Sequence, residues 1–153
     1  MVGRASRLQG PSERSAMTFL RALAVWFGIL LLAVANGAFR DLVLAPRLGD
    51  TVARAISSLV LCGLVLLVTW NAIVWMRPLT RGVAFRVGAT WVALTLTFEL
   101  LLGHYVRHLS WEALLADYDL TRGRIWILVL ITTFGAPAWA ARHRLHSRTD
   151  TRP

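Results

Sequence analysis

One carboxylate, Glu99, sits inside a run that is otherwise free of charge, between Thr95-Leu96-Thr97-Phe98 and Leu100-Leu101-Leu102. Such a group is costly in an apolar setting unless it is paired, protonated or wetted, so it must face protein or water. The chemistry open to it is an ion pair, or the binding of a proton or small ion. Asn36 and Arg40 lie four residues apart and so share one helical face. They fall slightly shallower than Glu99, and the arginine side chain is expected to lean down to it. Ser57 and Ser58, with Thr132 and Thr133, are expected within reach of the same layer, and His104, Asp117 and Arg124 complete an outer polar cluster. Two readings follow. One is a satisfied polar pin that fixes helix register. The other is a ligand, proton or ion site that opens outward.

His104 and His108, at i and i+4, could offer two nitrogens to zinc if their helix continues outward, with Glu112 or Asp117 as an oxygen ligand. No further histidine or cysteine stands at ligand spacing, so interfacial histidines are the plainer account and no metal is expected. Asp117, Tyr118 and Asp119, followed by Arg122 and Arg124, read as a capped, ion-paired start to the last helix. The chain has no GxSxG elbow, no HExxH, no phosphate-cradling glycine loop and no dinucleotide fingerprint. A membrane enzyme built from Glu99, His104 and Asp117 is the remaining catalytic reading. The expectation is no enzyme and no cofactor.

The elements that must position these residues are apolar blocks. Among 153 residues, 56% are hydrophobic and the mean hydropathy is +0.56, well above that of a soluble domain. The blocks run from about Thr18 to Phe39, Ala55 to Met76, Val87 to Val106 and Ile125 to Ala141. Each is long enough to cross roughly 30 Å of hydrocarbon as a helix. None alternates with period two, which excludes barrel strands. The expected fold is an all-α bundle of four transmembrane helices over residues 17–141, between a disordered tail at 1–16 and a basic tail at 142–153. The one cysteine, Cys62, falls within the second block and excludes an internal disulfide.

All seventeen basic residues are arginine, and they are unevenly placed. Eleven occupy the N-terminal segment, the loop from Arg77 to Arg86 and the C-terminal segment. Six occupy the two intervening loops, where Asp41, Asp50, Glu112, Asp117 and Asp119 offset them. Arginine-rich short segments resist translocation, so both termini are expected on the cytoplasmic side of a bacterial inner membrane. Trp70, Trp75 and Trp139 fit an inner aromatic belt, and Tyr105, Trp111, Tyr118 and Trp126 an outer one. The net charge of +9 is therefore read as topology, with anionic lipid headgroups as the partner of the arginine-rich segments and nucleic acid excluded. A competing reading takes Ala33-Val34-Ala35 as a signal-cleavage site, which would leave three helices.

In the first outer loop, Pro46 is expected to block helix, and Asp50 or Thr51 to cap the second span. In the second, Ser110 is expected to cap a short amphipathic helix from Trp111 to Ala116 lying in the outer interface. Small residues recur at four-residue spacing: Ala24 with Gly28, Ser58 with Cys62, Ala89 with Ala93, and Thr132 with Ala136 and Ala140. Close helix packing is their expected use. Gly135 and Pro137 are expected to bend the last helix.

Taken together, Asn36-Gly37 with Arg40-Asp41, Phe98-Glu99, Gly103-His104-Tyr105, Trp111, Leu114 to Tyr118, and Gly123-Arg124 with Trp126 resemble a family of small bacterial four-helix integral membrane proteins with no assigned activity. The resemblance spans roughly Leu20 to Ala138. That family usually carries glutamate where Asp41 stands and asparagine where Asp119 stands, two conservative departures. It implies four helices and an outer polar cluster, and no substrate. The functional expectation is a multi-pass membrane protein acting through packing or contact with a partner, either a second copy or another membrane protein. The alternative is transport or sensing of a small solute, ion or proton at the cluster around Glu99, which four helices would support only as an oligomer.

Overall fold

The computed structural model describes residues 11–76, 80–106, 108, 110–112 and 125–146. Among them there is helix and no strand. Helix α1 is Pro11–Phe39, followed by a π-helical turn at Arg40–Leu44 and the short α2, Ala45–Leu48. Helix α3 is Asp50–Met76, and α4 is Arg81–Leu101, extended by a second π-helical turn at Leu102–Val106. Helix α5 is Trp126–His146. Three of these segments, Ser15–Leu48, Asp50–Met76 and Arg81–Val106, are long and apolar enough to cross a membrane.

Their surfaces carry the same message. Only 22%, 33% and 17% of the most apolar stretches of these three segments are buried inside the protein. Leu20, Phe27, Leu31, Leu59, Leu67 and Ile131 all point outward. Apolar area on that scale is not stable against water and marks a lipid-facing surface. The protein is a membrane protein.

The helix ends follow local chemistry. Pro11 is the first residue of α1, where a missing N–H costs nothing. Thr80 caps α4, its Oγ1 accepting from the Val83 amide at 3.2 Å. The segment between α1 and α3 is not the helix-free loop that Pro46 suggested. Pro46 falls in the first turn of α2, where proline is tolerated. The chain reverses at Gly49 (φ 78°, ψ 157°), a conformation that only glycine adopts without strain. Asp50 then lies in the first turn of α3. Of the expected outer amphipathic helix, Trp111 and Glu112 are helical, and the remainder lies outside the described residues.

The helices form a ring in the order α1, α3, α5, α4. The most extensive contacts are α3 with α5 and α4 with α5, followed by α1 with α3. Helices α3 and α4, although consecutive, scarcely touch. Paired residues give the directions. Asn36 meets Ser57 and Arg21 meets Trp75, so α1 and α3 are antiparallel. Trp26 meets Thr95 and the Trp91 indole meets the Ala22 carbonyl, so α1 and α4 are parallel. Trp70 lies 5.1 Å from Trp139, and Phe85 lies 5.8 Å from Phe134. Helix α5 is thus the inserted element between α3 and α4. It buries Val129, Thr133, Ala136, Pro137 and Ala140.

Small residues do bring the helices together, although not in every place expected. Cys62, Ala136 and Ala140 are buried. Ala24, Ala89 and Ala93 are exposed, and a side chain added at Gly28 would meet nothing within 4 Å. The α4 contact is made instead by Ala84 and Gly88. A Cβ built at Gly88 would lie 2.1 Å from the Phe134 carbonyl oxygen.

One enclosed hydroxyl is unused. Thr69 Oγ1, on the buried stripe of α3, has no hydrogen-bond partner. An unsatisfied buried polar atom costs about 1–3 kcal/mol, and an apolar group of the same shape removes that cost. Thr69→Val is therefore expected to raise the thermal stability of the purified protein. A fall in melting temperature would show that the hydroxyl is engaged after all.

Candidate functional site

The C-terminal ends of α1 and α4 carry the sequence-selected residues, and both ends leave regular α-helix. π-turns are uncommon and concentrate at functional positions. The first one opens with Arg40 and Asp41, and the second holds His104.

Arg40 does not reach Glu99. Its Nε donates to Asp41 Oδ1 at 2.8 Å and a terminal nitrogen to Oδ2 at 3.3 Å, a two-pronged pair within one turn. Glu99 is half-buried on α4 and has an interaction of its own. Asn36 turns toward α3, donating to the Ser57 carbonyl at 3.1 Å and to Ser57 Oγ at 2.8 Å. Thr133 is buried, but it does not share the layer of Glu99. Gly88, which faces Phe134, precedes Glu99 by eleven residues, roughly 16 Å along α4. The expected single polar layer is thus divided between an α1–α3 fastening at Asn36 and Ser57 and a separate group on the π-turns.

His104 stacks on Trp111, with ring centres 4.4 Å apart and planes 23° apart, and meets the edge of Tyr105 at 5.0 Å. The condition for a two-histidine metal face is not met. Helical structure ends at Val106, and His108 takes a positive φ of 53° beyond it. Asp117 and Arg124 lie outside the described residues. Among the described residues no group of three or more metal-ligating side chains gathers.

Sequence reasoning missed most of the polar fastenings between helices. The Trp91 Nε1 donates to the Ala22 carbonyl at 2.9 Å, and Trp26 Nε1 donates to Thr95 Oγ1 at 3.1 Å. The two indoles bond in opposite senses across α1 and α4, and their spacing along both chains gives the signal: 22 with 91, and 26 with 95. Near the other end of α1, Arg21 donates to the Trp75 carbonyl at 3.0 Å and lies over the Trp75 ring, 5.5 Å from its centre. That carbonyl is in the last turn of α3, where helix oxygens lack an intrahelical partner and the helix dipole favours a cation.

The Asn36 fastening has a measurable value. Asn36→Leu removes both bonds to Ser57, and such interhelical bonds in membranes are worth roughly 0.6 kcal/mol on average. A loss of about 1 kcal/mol is expected, with Ser57→Ala adding little on top of it in a double-mutant cycle. Full additivity of the two substitutions would show that the bond contributes nothing.

Comparison with family models, curated proteins and solved structures yields no match to this chain. Its function therefore has to be read from its own geometry.

Proposed function

We propose that this chain is a four-span membrane protein of the bacterial inner membrane with both termini cytoplasmic, acting through contact with a membrane partner or a second copy rather than as an enzyme. Helix α5 is the fourth span in this reading. It packs on α3 and α4 through Val129, Thr133, Ala136 and Ala140 and turns Leu128, Ile131 and Phe134 outward, while its proline, threonines and basic last turn lower its hydropathy. The antiparallel arrangement of α1 with α3, and the parallel one of α1 with α4, fits the alternation of arginine-rich and mixed-charge loops. Retention of α1 is favoured over its cleavage as a signal, because Trp91, Thr95, Ser57 and Trp75 all bond to it.

One observation carries the functional reading. Asn36, Ser57, Trp26, Thr95 and Trp91 are engaged between helices, whereas the outer π-turns leave Leu42, Tyr105 and Val106 strongly exposed, at 78%, 67% and 65%. Apolar groups beside a charged pair and a stacked histidine form a contact surface more readily than a conduit. Transport or sensing at Glu99 is the competing reading, and the half-burial of that carboxylate is what favours it.

Two measurements separate these readings. A photo-crosslinking residue at Tyr105 should give a discrete crosslinked species in native membranes, while one at the lipid-facing Leu67 should not. Proteoliposomes should hold a proton gradient equally well with wild-type protein and with Glu99→Gln. A leak that depends on Glu99 would replace the contact reading with transport.

A further inference from the structure

We propose that the groove between α1 and α4 is a binding site for one anionic phospholipid, with an acyl chain along the groove and the headgroup phosphate on Arg86. The inference rests on the topology proposed above, which puts this end of the bundle at the inner leaflet.

The groove is a shallow open slot without an enclosed cavity, lined by Phe19, Ala22, Leu23, Val87, Thr90 and Trp91. Its walls are kept apart by the Trp26 and Trp91 indoles, which bridge α1 and α4 where their backbones make few close approaches. Arg86 directly precedes Val87 on the groove wall, and its carbonyl accepts from Thr90 Oγ1 at 2.9 Å, so the residue lies one turn from the polar atom of the groove. It is five residues into α4, roughly 7.5 Å from the helix start, and its side chain is exposed. An exposed guanidinium at that depth reaches back to the headgroup level, and its natural counter-ion there is a lipid phosphate.

Charge complementarity identifies the occupant. Against the eleven arginines of the inner segments, the sequence supplies only two carboxylates on that side, Glu13 and Asp150. Among the described residues no carboxylate pairs with Arg86, and the Arg40–Asp41 pair lies at the opposite end. Arg21, the other arginine near this depth, is committed to the Trp75 carbonyl and ring. An anion from outside the chain can neutralise Arg86, and an apolar slot beside it suits a lipid with one acyl chain lying along it.

Native mass spectrometry of the purified protein tests this, with phosphatidylglycerol and phosphatidylcholine of matched chains as probes. Wild-type protein should retain one phosphatidylglycerol in preference to phosphatidylcholine. Arg86→Gln should lower that retention about fivefold, and Arg86→Lys should largely restore it. Leu23→Trp, which fills the slot, should lower it while Arg86 remains. Arg142→Gln, an equally exposed inner arginine on α5, should leave it unchanged. Absence of a headgroup preference in wild-type protein overturns the site, and this arm does not depend on any variant folding. An equal loss with Arg142→Gln overturns it too, since it would mean diffuse attraction to basic charge. Cysteine labelling at positions 46 and 80 of intact cells tests the topology separately. Position 80 labelled from outside would refute the inner-leaflet assignment whatever lipid the detergent-purified protein retains.

Discussion

Trp91→Ala is expected to destabilise the protein by about 3 kcal/mol, and Trp91→Phe by about 1 kcal/mol. Trp91 is fully enclosed and is the largest such side chain. In a soluble core, truncating tryptophan to alanine costs about 3–5 kcal/mol, through lost transfer free energy and through the cavity left behind. In a bilayer the transfer part largely falls away, because lipid tails are as apolar as the protein interior. The cavity part remains, which places the expectation at the lower end. Phenylalanine keeps most of the packing and loses the bond to the Ala22 carbonyl, so the loss in Trp91→Phe reports mainly that bond and the difference between the two variants reports the packing. Equilibrium unfolding in mixed micelles measures both. A Trp91→Ala protein as stable as wild type would mean that α1 and α4 are not held together as described.

Gly88→Ala is expected to cost about 3 kcal/mol, although the same change in an exposed helix interior is favourable by up to about 1 kcal/mol. The added methyl would lie 2.1 Å from the Phe134 carbonyl oxygen, 3.0 Å from its carbon and 3.2 Å from its Cα. These are backbone atoms, so no side-chain rotation relieves the clash and a whole helix must move. Overpacking of that kind typically costs 1–3 kcal/mol. Gly28→Ala and Gly63→Ala are the controls, since a Cβ at either position meets nothing within 4 Å. Both should be neutral or mildly stabilising. Equal melting temperatures for all three variants would refute the close α4–α5 approach.

The sequence made the helical class legible because burial in lipid demands unbroken apolar runs. It did not reveal which face of each run meets protein. In a soluble helix the polar face marks the outside, but here lipid and protein interior are equally apolar and the marker disappears. Gly88 and Ala89 are neighbours in sequence and about 100° apart around the helix. Only the first is buried, and four-residue spacing of small residues suited Ala89 with Ala93 just as well. Helix α5 was legible as an element and less so as a membrane span, because its proline, threonines and basic last turn lower its hydropathy.

The candidate site was legible by residue type and misread by partner. Glu99, Asn36, Arg40 and His104 stood out as polar groups near one end of apolar runs, and they do lie toward that end. The choice of Asp41 as the partner of Arg40 was missed because side chains one residue apart do not face each other on a regular α-helix. The pair occupies the start of a π-turn, which four-residue reasoning does not foresee. The indole bonds of Trp26 and Trp91 were missed for a related reason. Tryptophans in membrane chains are read first as interfacial anchors, and only tertiary contact shows them working inside the bundle.

The ring order has a consequence for biosynthesis. Because α3 and α4 scarcely touch, a nascent chain can dock α1 on α3 as soon as both have left the ribosome, but α4 then has only its two indole links to α1. The face of α4 that carries Gly88 stays without its neighbour until the final helix is made. A chain halted before residue 125 is therefore an incomplete product that quality-control proteases and insertion chaperones should recognise, and α5 is the segment that closes the assembly.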